Sequence, residues 1–208
     1  MPLLSDDHYL RWASFAQGWT NGALLQHRDV DLHIASMPQS GVHWLKFMLG
    51  NALAEAHSLP APADIQDERL IGHPKRRPVH DEIPAIVQSH SMPHRLQRRA
   101  LVRRLLDFPR YVLLVRDMRA ALVSNYEKWH ERYDCDFATY LRGDVRNRMR
   151  KPAMRFNSDI WMRLRFLNEW NAYRTRDPER VLLVRYEDAL KAPSETVLAI
   201  AAHLGLED

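Results

Sequence analysis

The sequence contains one cysteine, Cys135, among its 208 residues. A single thiol excludes a disulfide framework and any metal cluster built from several thiolates. The eleven histidines include no His-Glu-x-x-His pair, so we expect no metal site. No apolar run is long enough to span a bilayer, and Asp6 and Asp7 interrupt the place where a signal peptide would have its apolar centre. These absences predict a cytoplasmic protein without a membrane span.

The charge balance is only mildly basic, with a net charge of +4. This favours an anionic ligand or partner. The basic residues are scattered and carry no signature of a fold that reads DNA or RNA, so we expect no nucleic-acid partner. Apolar residues make up 46% of the chain, which is ordinary for a globular protein, and the length suits one domain, 1–208, with a real core. The oligomeric state cannot be inferred from the sequence.

Short β-type runs alternate with helical patterns along the chain. Strands are predicted at 31–37, 85–90, 111–116 and 181–187, and helices at 41–56, 94–106, 119–132, 158–173 and 194–204. Two of the strands are nearly continuous apolar runs, as expected for strands covered on both faces. The alternation predicts an α/β fold with three α/β/α layers around a central parallel sheet. The irregular segment 59–84 is expected to be a loop, and 134–157 to combine a short helical piece, FATYLRG, with a very basic stretch. Both are expected to contact substrate.

The spacing of apolar residues predicts which helix faces are buried. The expected stripe of the helix 41–56 is Trp44, Phe47, Met48 and Ala52, and that of the helix 158–173 is Ile160, Trp161, Leu164, Leu167 and Trp170. A further set of aromatic side chains suits an apolar pocket, although burial in the core is the favoured use of most of them: Trp12, Phe15, Trp19, Tyr126, Trp129 and Tyr133.

The first candidate site is the turn Pro38-Gln39-Ser40-Gly41, between a predicted strand and a predicted helix. Backbone N–H groups at a helix N-terminus can hold an anion without any side chain. Gly41 allows close approach of the backbone, and Ser40 can add a hydroxyl donor. The same Ser-Gly pair also suits a plain N-cap. The turn is not a Walker A loop, because the sequence G-x-x-x-x-G-K-[ST] is absent.

Three further strand ends carry polar residues. Arg116 ends one strand and Ser124 follows eight residues later, so an Arg fork and a hydroxyl could converge on one phosphate. His90 ends another strand, where an imidazole can accept a proton near neutral pH. Tyr186 ends the last predicted strand. For each of these the ordinary alternative is a structural residue at the edge of a sheet or on the surface of a helix.

Together, these motifs resemble the sulfotransferase family that uses 3'-phosphoadenosine 5'-phosphosulfate. "PQSGVHW" (38–44) is similar to the family's Pro-Lys-Ser-Gly-Thr-Thr-Trp, and Arg116 with Ser124 matches its second motif. "SHSMP" (89–93) echoes a strand-end Thr-His-Leu-Pro with one extra residue. "YEDALKAP", which begins at Tyr186, is similar to the family's late Tyr-Glu-Asp-Leu and Lys-x-Pro turn.

The resemblance implies a P-loop-NTPase-like sulfotransferase fold and roles for particular residues. The donor's 5'-phosphosulfate would lie on the loop Pro38, Gln39, Ser40, Gly41, Val42, His43 and Trp44, with Trp44 stacking near the adenine. Arg116 and Ser124 would hold the 3'-phosphate, and Tyr186 would lie near the adenine. His90 would be the general base toward a small-molecule acceptor, whose identity the sequence does not reveal. The family requires no metal.

The sequence departs from the family pattern in the loop itself. Gln39 stands where the family has a Lys or Arg that stabilises the leaving group, and an uncharged donor is weaker than a charged one. Lys46 and His43 are the candidates for a replacement cation. Val42 and His43 also replace two Thr residues, which removes two hydroxyl donors.

A second departure concerns the end of the family domain. The family often has a further C-terminal segment, rich in Gly and basic residues, that closes over the nucleotide, whereas this sequence ends at Asp208. We expect either that other basic segments such as 142–155 substitute, or that the donor site is incomplete.

Two hypotheses therefore stay open. The first is a sulfotransferase that moves a sulfuryl group to a hydroxyl or amine. The second is a catalytically weakened or inactive nucleotide-binding member of the same fold, which Gln39 favours. A P-loop kinase is disfavoured, because the Walker Lys is absent.

Overall fold

The structure is a computed structural model that describes residues 6–26, 29–75, 78, 80, 82–133, 135–142 and 159–206. Its strands are β1 (Leu32–Ser36), β2 (Ile71–Gly72), β3 (Ile86–Ser89), β4 (Arg110–Val115) and β5 (Val181–Arg185). They form one sheet in the order β2-β3-β1-β4-β5, and every pairing is parallel. The predicted three-layer α/β fold with a central parallel sheet is confirmed.

Helices surround the sheet. They are α1 (Asp6–Thr20), α2 (Val42–Ala56), α3 (Ala100–Leu105), α4 (Met118–Tyr133), α5 (Phe137–Arg142), α6 (Asp159–Arg174), α7 (Tyr186–Lys191) and α8 (Pro193–Leu204). Short 3-10 turns lie at Gly22–Leu25, Arg95–Arg98 and Pro178–Arg180. Within the described residues, no helix combines the length and the apolar character needed to cross a bilayer.

The alternation of side chains along the strands creates two apolar layers. Leu32 and Ile34 of β1 point to one face, where they join a core formed with α2 and α8. Ala35 points to the other face, where Phe166 and Trp170 of α6 cover the sheet. Because both faces are covered, the central strands are apolar on both sides, and this is why they read as nearly continuous apolar runs.

The structure corrects several element predictions. β2 lies inside the segment 59–84 that we expected to be loop, and α7 begins at Tyr186, inside the predicted strand 181–187. The predicted helix 94–106 is a 3-10 turn followed by α3, because Arg99 between them has extended backbone (φ −83°, ψ 123°). In the second irregular segment, α5 (Phe137–Arg142) occupies the place of the expected helical piece, and residues 143–157 lie outside the described residues.

The predicted buried stripes are displaced around their helices. The buried face of α6 consists of Asp159, Arg163, Arg165, Phe166, Trp170 and Tyr173, and Trp161 is exposed. In α2 the buried residues are Val42, Leu45, Lys46, Leu49, Gly50, Leu53 and Ala54. Trp12, Phe15 and Trp19 of α1 are exposed rather than in the core, because α1 lies at the surface against the 3-10 turn Arg95–Arg98.

The parallel arrangement positions the site. Since all five strands run the same way, their carboxyl ends meet at one edge of the sheet. The segments that follow β1, β3, β4 and β5 therefore share that edge. They contain the turn 38–41, His90, Arg116 and Tyr186, which is every strand-end candidate that the sequence indicated.

Candidate functional site

The turn after β1 is a tight, left-handed corner. The Ser40 N–H donates to the Met37 carbonyl at 3.2 Å, which closes the turn. Gln39 has φ of +63° and Gly41 has φ of +79°, so two residues within three positions occupy the region that side chains disfavour. A strained backbone at a strand-helix junction is a feature that functional sites share.

Gly41 is required at its position for two reasons. A Cβ built at Gly41 would lie 2.2 Å from Cε2 of Tyr186, which is far inside van der Waals contact, and its positive φ adds strain to any side chain. The Tyr186 ring therefore rests directly on the turn. Trp44 meets the same ring edge-on, with ring centroids 6.2 Å apart.

Among the side chains that the structure describes, none caps the N-terminus of α2. Its N-cap residue is Gly41, so Ser40 is not the cap that the ordinary reading of Ser-Gly would require. The Ser40 side chain is fully buried, and among the residues that the structure describes its Oγ has no hydrogen-bond partner. Leaving a buried hydroxyl unpaired costs about 1–3 kcal/mol. An unpaired hydroxyl beside uncapped N–H groups fits a bound phosphate or sulfate oxygen.

Arg116 lies against this turn. Its Nη1 donates to the Gln39 carbonyl at 3.2 Å, and its guanidinium stacks on the Tyr186 ring at 4.8 Å from the centroid. Glu187, just after β5, is linked to the end of β4, because its Oε1 accepts from the Asp117 N–H at 2.9 Å. That hydrogen bond holds the pKa of Glu187 below its usual value, so the carboxylate stays charged. The ends of β4 and β5 are thus joined beside the turn.

His90 is held in one tautomer. Its Nδ1 lies 2.8 Å from the Ser36 carbonyl oxygen and 3.0 Å from Ser36 Oγ. A carbonyl oxygen only accepts, so in the neutral ring Nδ1 carries the proton and Nε2 presents a lone pair. This is the arrangement that a general base requires.

The surroundings of His90 favour its neutral form. Packing of protein around the ring lowers the pKa of His90, although part of its surface is open to solvent. The hydrogen bond to Ser36 works in the opposite direction, while the charges of His43, Arg163 and His73 lower the pKa further. The net result is a pKa below the ordinary 6.5, so the ring is neutral at pH 7.

The other predicted loop residues differ in their surroundings. Val42 is buried in the core, so it can serve a ligand through its backbone alone, and His43 is exposed. Ser124 is half-buried nearly two turns into α4, and no hydrogen bond joins it to Arg116 in the described part of the chain. Each of these positions keeps its role as a prediction.

Lys46 pairs with a carboxylate outside the turn. Its side chain is buried on α2, and its Nζ lies 3.8 Å from Glu68 Oε1. Burial lowers the pKa of Lys46, while Glu68 and Asp67 raise it. The ammonium is therefore paired with the segment that precedes β2. This pairing disfavours Lys46 as a substitute for the missing loop cation, a role that stays a prediction.

Two residues at the site were not anticipated. Arg163 of α6 is fully buried, and its Nη2 donates to the Pro38 carbonyl at 3.3 Å. His73 lies beyond β2 and acts electrostatically on His90. His73 had no signal, because its segment was interpreted as a loop. Arg163 had one: it stands four residues after Asp159, a spacing that indicates an ion pair on one face of a helix.

The fold and this edge define a class of protein. A parallel sheet whose first strand leads through a glycine turn into an uncapped helix is typical of α/β folds that bind ligands at the carboxyl edge of the sheet. A sulfotransferase domain model matches residues 29–208, and the chain therefore belongs to the sulfotransferase family of enzymes. No curated protein matches the sequence.

Solved structures of sulfotransferases share the fold. The chain is similar to mouse sulfotransferase SULT7A1 complexed with PAP, with 18% identity and a TM-score of 0.50, over 91% of this chain and 64% of the mouse chain. It is also similar to the sulfotransferase of Alicyclobacillus acidocaldarius, with 14% identity and a TM-score of 0.52, over 86% of this chain and 81% of that one. The chain thus spans less than two thirds of the mouse enzyme.

Proposed function

We propose that this protein transfers a sulfuryl group from 3'-phosphoadenosine 5'-phosphosulfate to a hydroxyl or amine of a small acceptor. The observation that supports the proposal is that one edge of the sheet holds both an uncapped turn with an unpaired buried hydroxyl and a histidine whose Nδ1 is fixed by Ser36. The acceptor oxygen or nitrogen would form the new bond to sulfur, the bond from sulfur to the bridging oxygen would break, and the acceptor proton would move to Nε2 of His90.

The donor site of the proposal consists of the turn and the strand end beside it. Ser40 Oγ and the uncapped N–H groups at the start of α2 suit the 5'-phosphosulfate, since both are donors without a partner among the described side chains. Arg116 suits the 3'-phosphate because its guanidinium is a charged fork next to the turn. Tyr186 and Trp44 supply aromatic faces for the adenine. The PAP named with the mouse enzyme supports this choice of nucleotide.

The catalytic part of the proposal depends on positioning and charge. Sulfuryl transfer resembles phosphoryl transfer, in which an enzyme mainly aligns the reactants and stabilises developing charge. His90 supplies a neutral base fixed by Ser36. Gln39 supplies a donor without charge at the leaving group, so we expect turnover below that of a chain with Lys at this position.

The alternative function, an inactive nucleotide-binding member of the fold, is favoured by Gln39 alone. Two measurements separate it from the enzyme. Calorimetry with adenosine 3',5'-bisphosphate tests the nucleotide site, and a sulfate-transfer assay over phenols, alcohols and amines tests turnover. Binding with turnover supports the enzyme, binding without turnover supports the alternative, and the absence of both rejects the two proposals together.

Replacing Arg116 with Ala is expected to weaken binding of adenosine 3',5'-bisphosphate by more than tenfold, because the variant loses a charged fork and its stacking on Tyr186. The measurement is calorimetric titration. Arg119→Ala is the matched control, since Arg119 is almost fully exposed three residues later. Equal affinities of wild type and Arg116→Ala would contradict the assignment of the 3'-phosphate.

Replacing Gln39 with Lys is expected to raise kcat at least threefold, because an ammonium stabilises the leaving oxygen better than an amide. Lys occupies the left-handed backbone at position 39 no worse than Gln does. Gln39→Met is the control that removes the donor, and its kcat should fall. A kcat unchanged in Gln39→Lys would show that charge at this position does not limit turnover.

The proposal extends to the whole chain as one sulfotransferase-like domain in the cytoplasm. The sheet supports a single domain, because β1 at residue 32 and β5 at residue 185 belong to the same sheet. The solitary Cys135 suits a reducing compartment.

A further inference from the structure

A buried polar network lies behind the turn 38–41. Asn125 Nδ2 lies 2.7 Å from the Tyr133 hydroxyl, 3.1 Å from the Tyr140 hydroxyl and 3.4 Å from Asp159 Oδ2. The Tyr133 hydroxyl also donates to Asp159 Oδ2. These four residues are buried, and they join α4, α5 and the start of α6. A connected network of this kind fixes the geometry of the groups at its end.

Arg163 forms the end of that network. Its Nη1 lies 3.8 Å from Asp159 Oδ1 and donates to the Asp159 carbonyl at 3.3 Å, while its Nη2 donates to the Pro38 carbonyl at 3.3 Å. The side chain is fully buried, and a buried charge is tolerated only when it is paired and hydrogen-bonded. The guanidinium thus connects the first peptide of the turn rigidly to α6.

The hydrogen bond from Arg163 to the Pro38 carbonyl also orients the Gln39 N–H. The peptide between Pro38 and Gln39 is trans and planar, so its N–H points opposite to its carbonyl. Arg163 on the carbonyl side therefore directs the Gln39 N–H to the opposite side. Arg116 holds the following carbonyl, that of Gln39, at 3.2 Å. Two arginines thus fix two consecutive peptides of the turn.

We propose that Arg163 is a positioning residue for the phosphosulfate turn, which aims the Gln39 N–H and contributes, from behind, part of the positive charge that the family carries at position 39. This inference rests on the proposed function of the same site. It explains how a turn without a Lys keeps a cation nearby. Arg163 reaches the donor through the backbone of the turn, because its own side chain is fully buried.

The charge of Arg163 also reaches His90. The groups that act on the His90 ring come from several elements: His43 at the start of α2, His73 beyond β2, Arg163 on α6 and the Ser36 carbonyl of β1. Loss of the Arg163 charge removes one of the influences that lower the pKa of His90. The pKa of His90 therefore reports the charge of Arg163, which a variant that only loosens packing would leave in place.

The test compares Arg163→Gln with wild type by three measurements. The affinity for adenosine 3',5'-bisphosphate is measured by calorimetry, kcat and KM by sulfate transfer, and the pKa of His90 by NMR titration of the nucleotide-free protein. We expect kcat/KM to fall at least tenfold and the pKa of His90 to rise. Arg163→Lys keeps the charge, so it should leave the pKa of His90 at the wild-type value. Arg174→Gln, at the other end of α6, is the matched control and should change none of these.

The outcomes separate this inference from the proposed function. Wild-type protein that fails to bind the nucleotide overturns the proposed function, whatever Arg163 does. Wild-type protein that binds, together with Arg163→Gln that keeps wild-type kcat/KM and His90 pKa, overturns the role of Arg163 alone. If Arg163→Gln does not fold, Arg163→Lys takes its place, because it keeps the buried charge but loses the planar fork that joins Asp159 to Pro38. Its kcat/KM should then fall, and an unchanged kcat/KM would contradict the inference.

Discussion

Replacing His90 with Ala is expected to lower the rate of sulfuryl transfer by about 10²–10⁴-fold, which is the usual contribution of general acid–base catalysis. Affinity for adenosine 3',5'-bisphosphate should stay at the wild-type value, because the ring contacts Ser36 rather than the turn 38–41. The measurements are the sulfate-transfer assay and calorimetry on the same preparation.

His90→Asn is the matched control for the geometry of the imidazole. Its amide can still donate to the Ser36 carbonyl, yet it has no basic nitrogen, so turnover should be lost in both variants. Activity retained in either variant would contradict the assignment of His90 as the base, and loss of nucleotide affinity in both would indicate a structural role.

The pH dependence of the wild type tests the same assignment. The base must be neutral, and the pKa of His90 is lowered below 6.5. The rate should therefore be constant near pH 7 and decline as the pH falls through that lowered pKa. An acidic limb centred above 6.5 would contradict a lowered pKa.

Replacing Gly41 with Ala is the second large effect that we expect. The added Cβ would lie 2.2 Å from Tyr186 Cε2, so the ring or the turn must move, and the turn would no longer present Ser40 and the start of α2 as it does now. The left-handed backbone adds about 1–2 kcal/mol of strain to any residue with a side chain. Nucleotide affinity should fall at least tenfold.

Gly205 is a closely matched control for this experiment. It ends α8 with φ of +81°, nearly the same as Gly41, but no other part of the described structure lies within 4 Å of the position that its Cβ would take. Gly205→Ala therefore carries the same backbone strain without the clash. We expect a modest loss of the free energy of unfolding in Gly205→Ala and unchanged nucleotide binding. Equal binding by the two variants would show that the contact with Tyr186 does not matter for the site.

The features visible in the sequence were those that depend on residues adjacent along the chain. A strand end followed by Ser-Gly and a helix indicates a turn with exposed N–H groups, and Arg116 and His90 each ended a predicted strand. Parallel strands then bring such ends together without further information. The helix faces were less well predicted: in α6 the apolar spacing suggested Trp161 and Leu164, whereas the buried stripe contains Asp159 and Arg163.

The remaining features depend on contacts between distant segments. β2 has two residues, Ile71–Gly72, and a strand of that length has no periodicity to detect. The contact of Arg163 with Pro38 joins residues 125 positions apart. Lys46 is a further example, because its sequence position near the turn suggested a replacement cation, while its pairing with Glu68 joins α2 to the segment before β2. Charged residues on helix faces that are otherwise apolar indicate buried ion pairs, and the spacing of apolar residues alone did not reveal them.

A crystal structure of the protein with adenosine 3',5'-bisphosphate tests whether the turn 38–41 holds the sulfuryl donor. We expect the 5'-phosphate to lie about 3 Å from Ser40 Oγ and from N–H groups at the start of α2, with the 3'-phosphate on the guanidinium of Arg116. A nucleotide bound away from this turn, or a bound nucleotide that leaves the Ser40 hydroxyl without a partner, would contradict it.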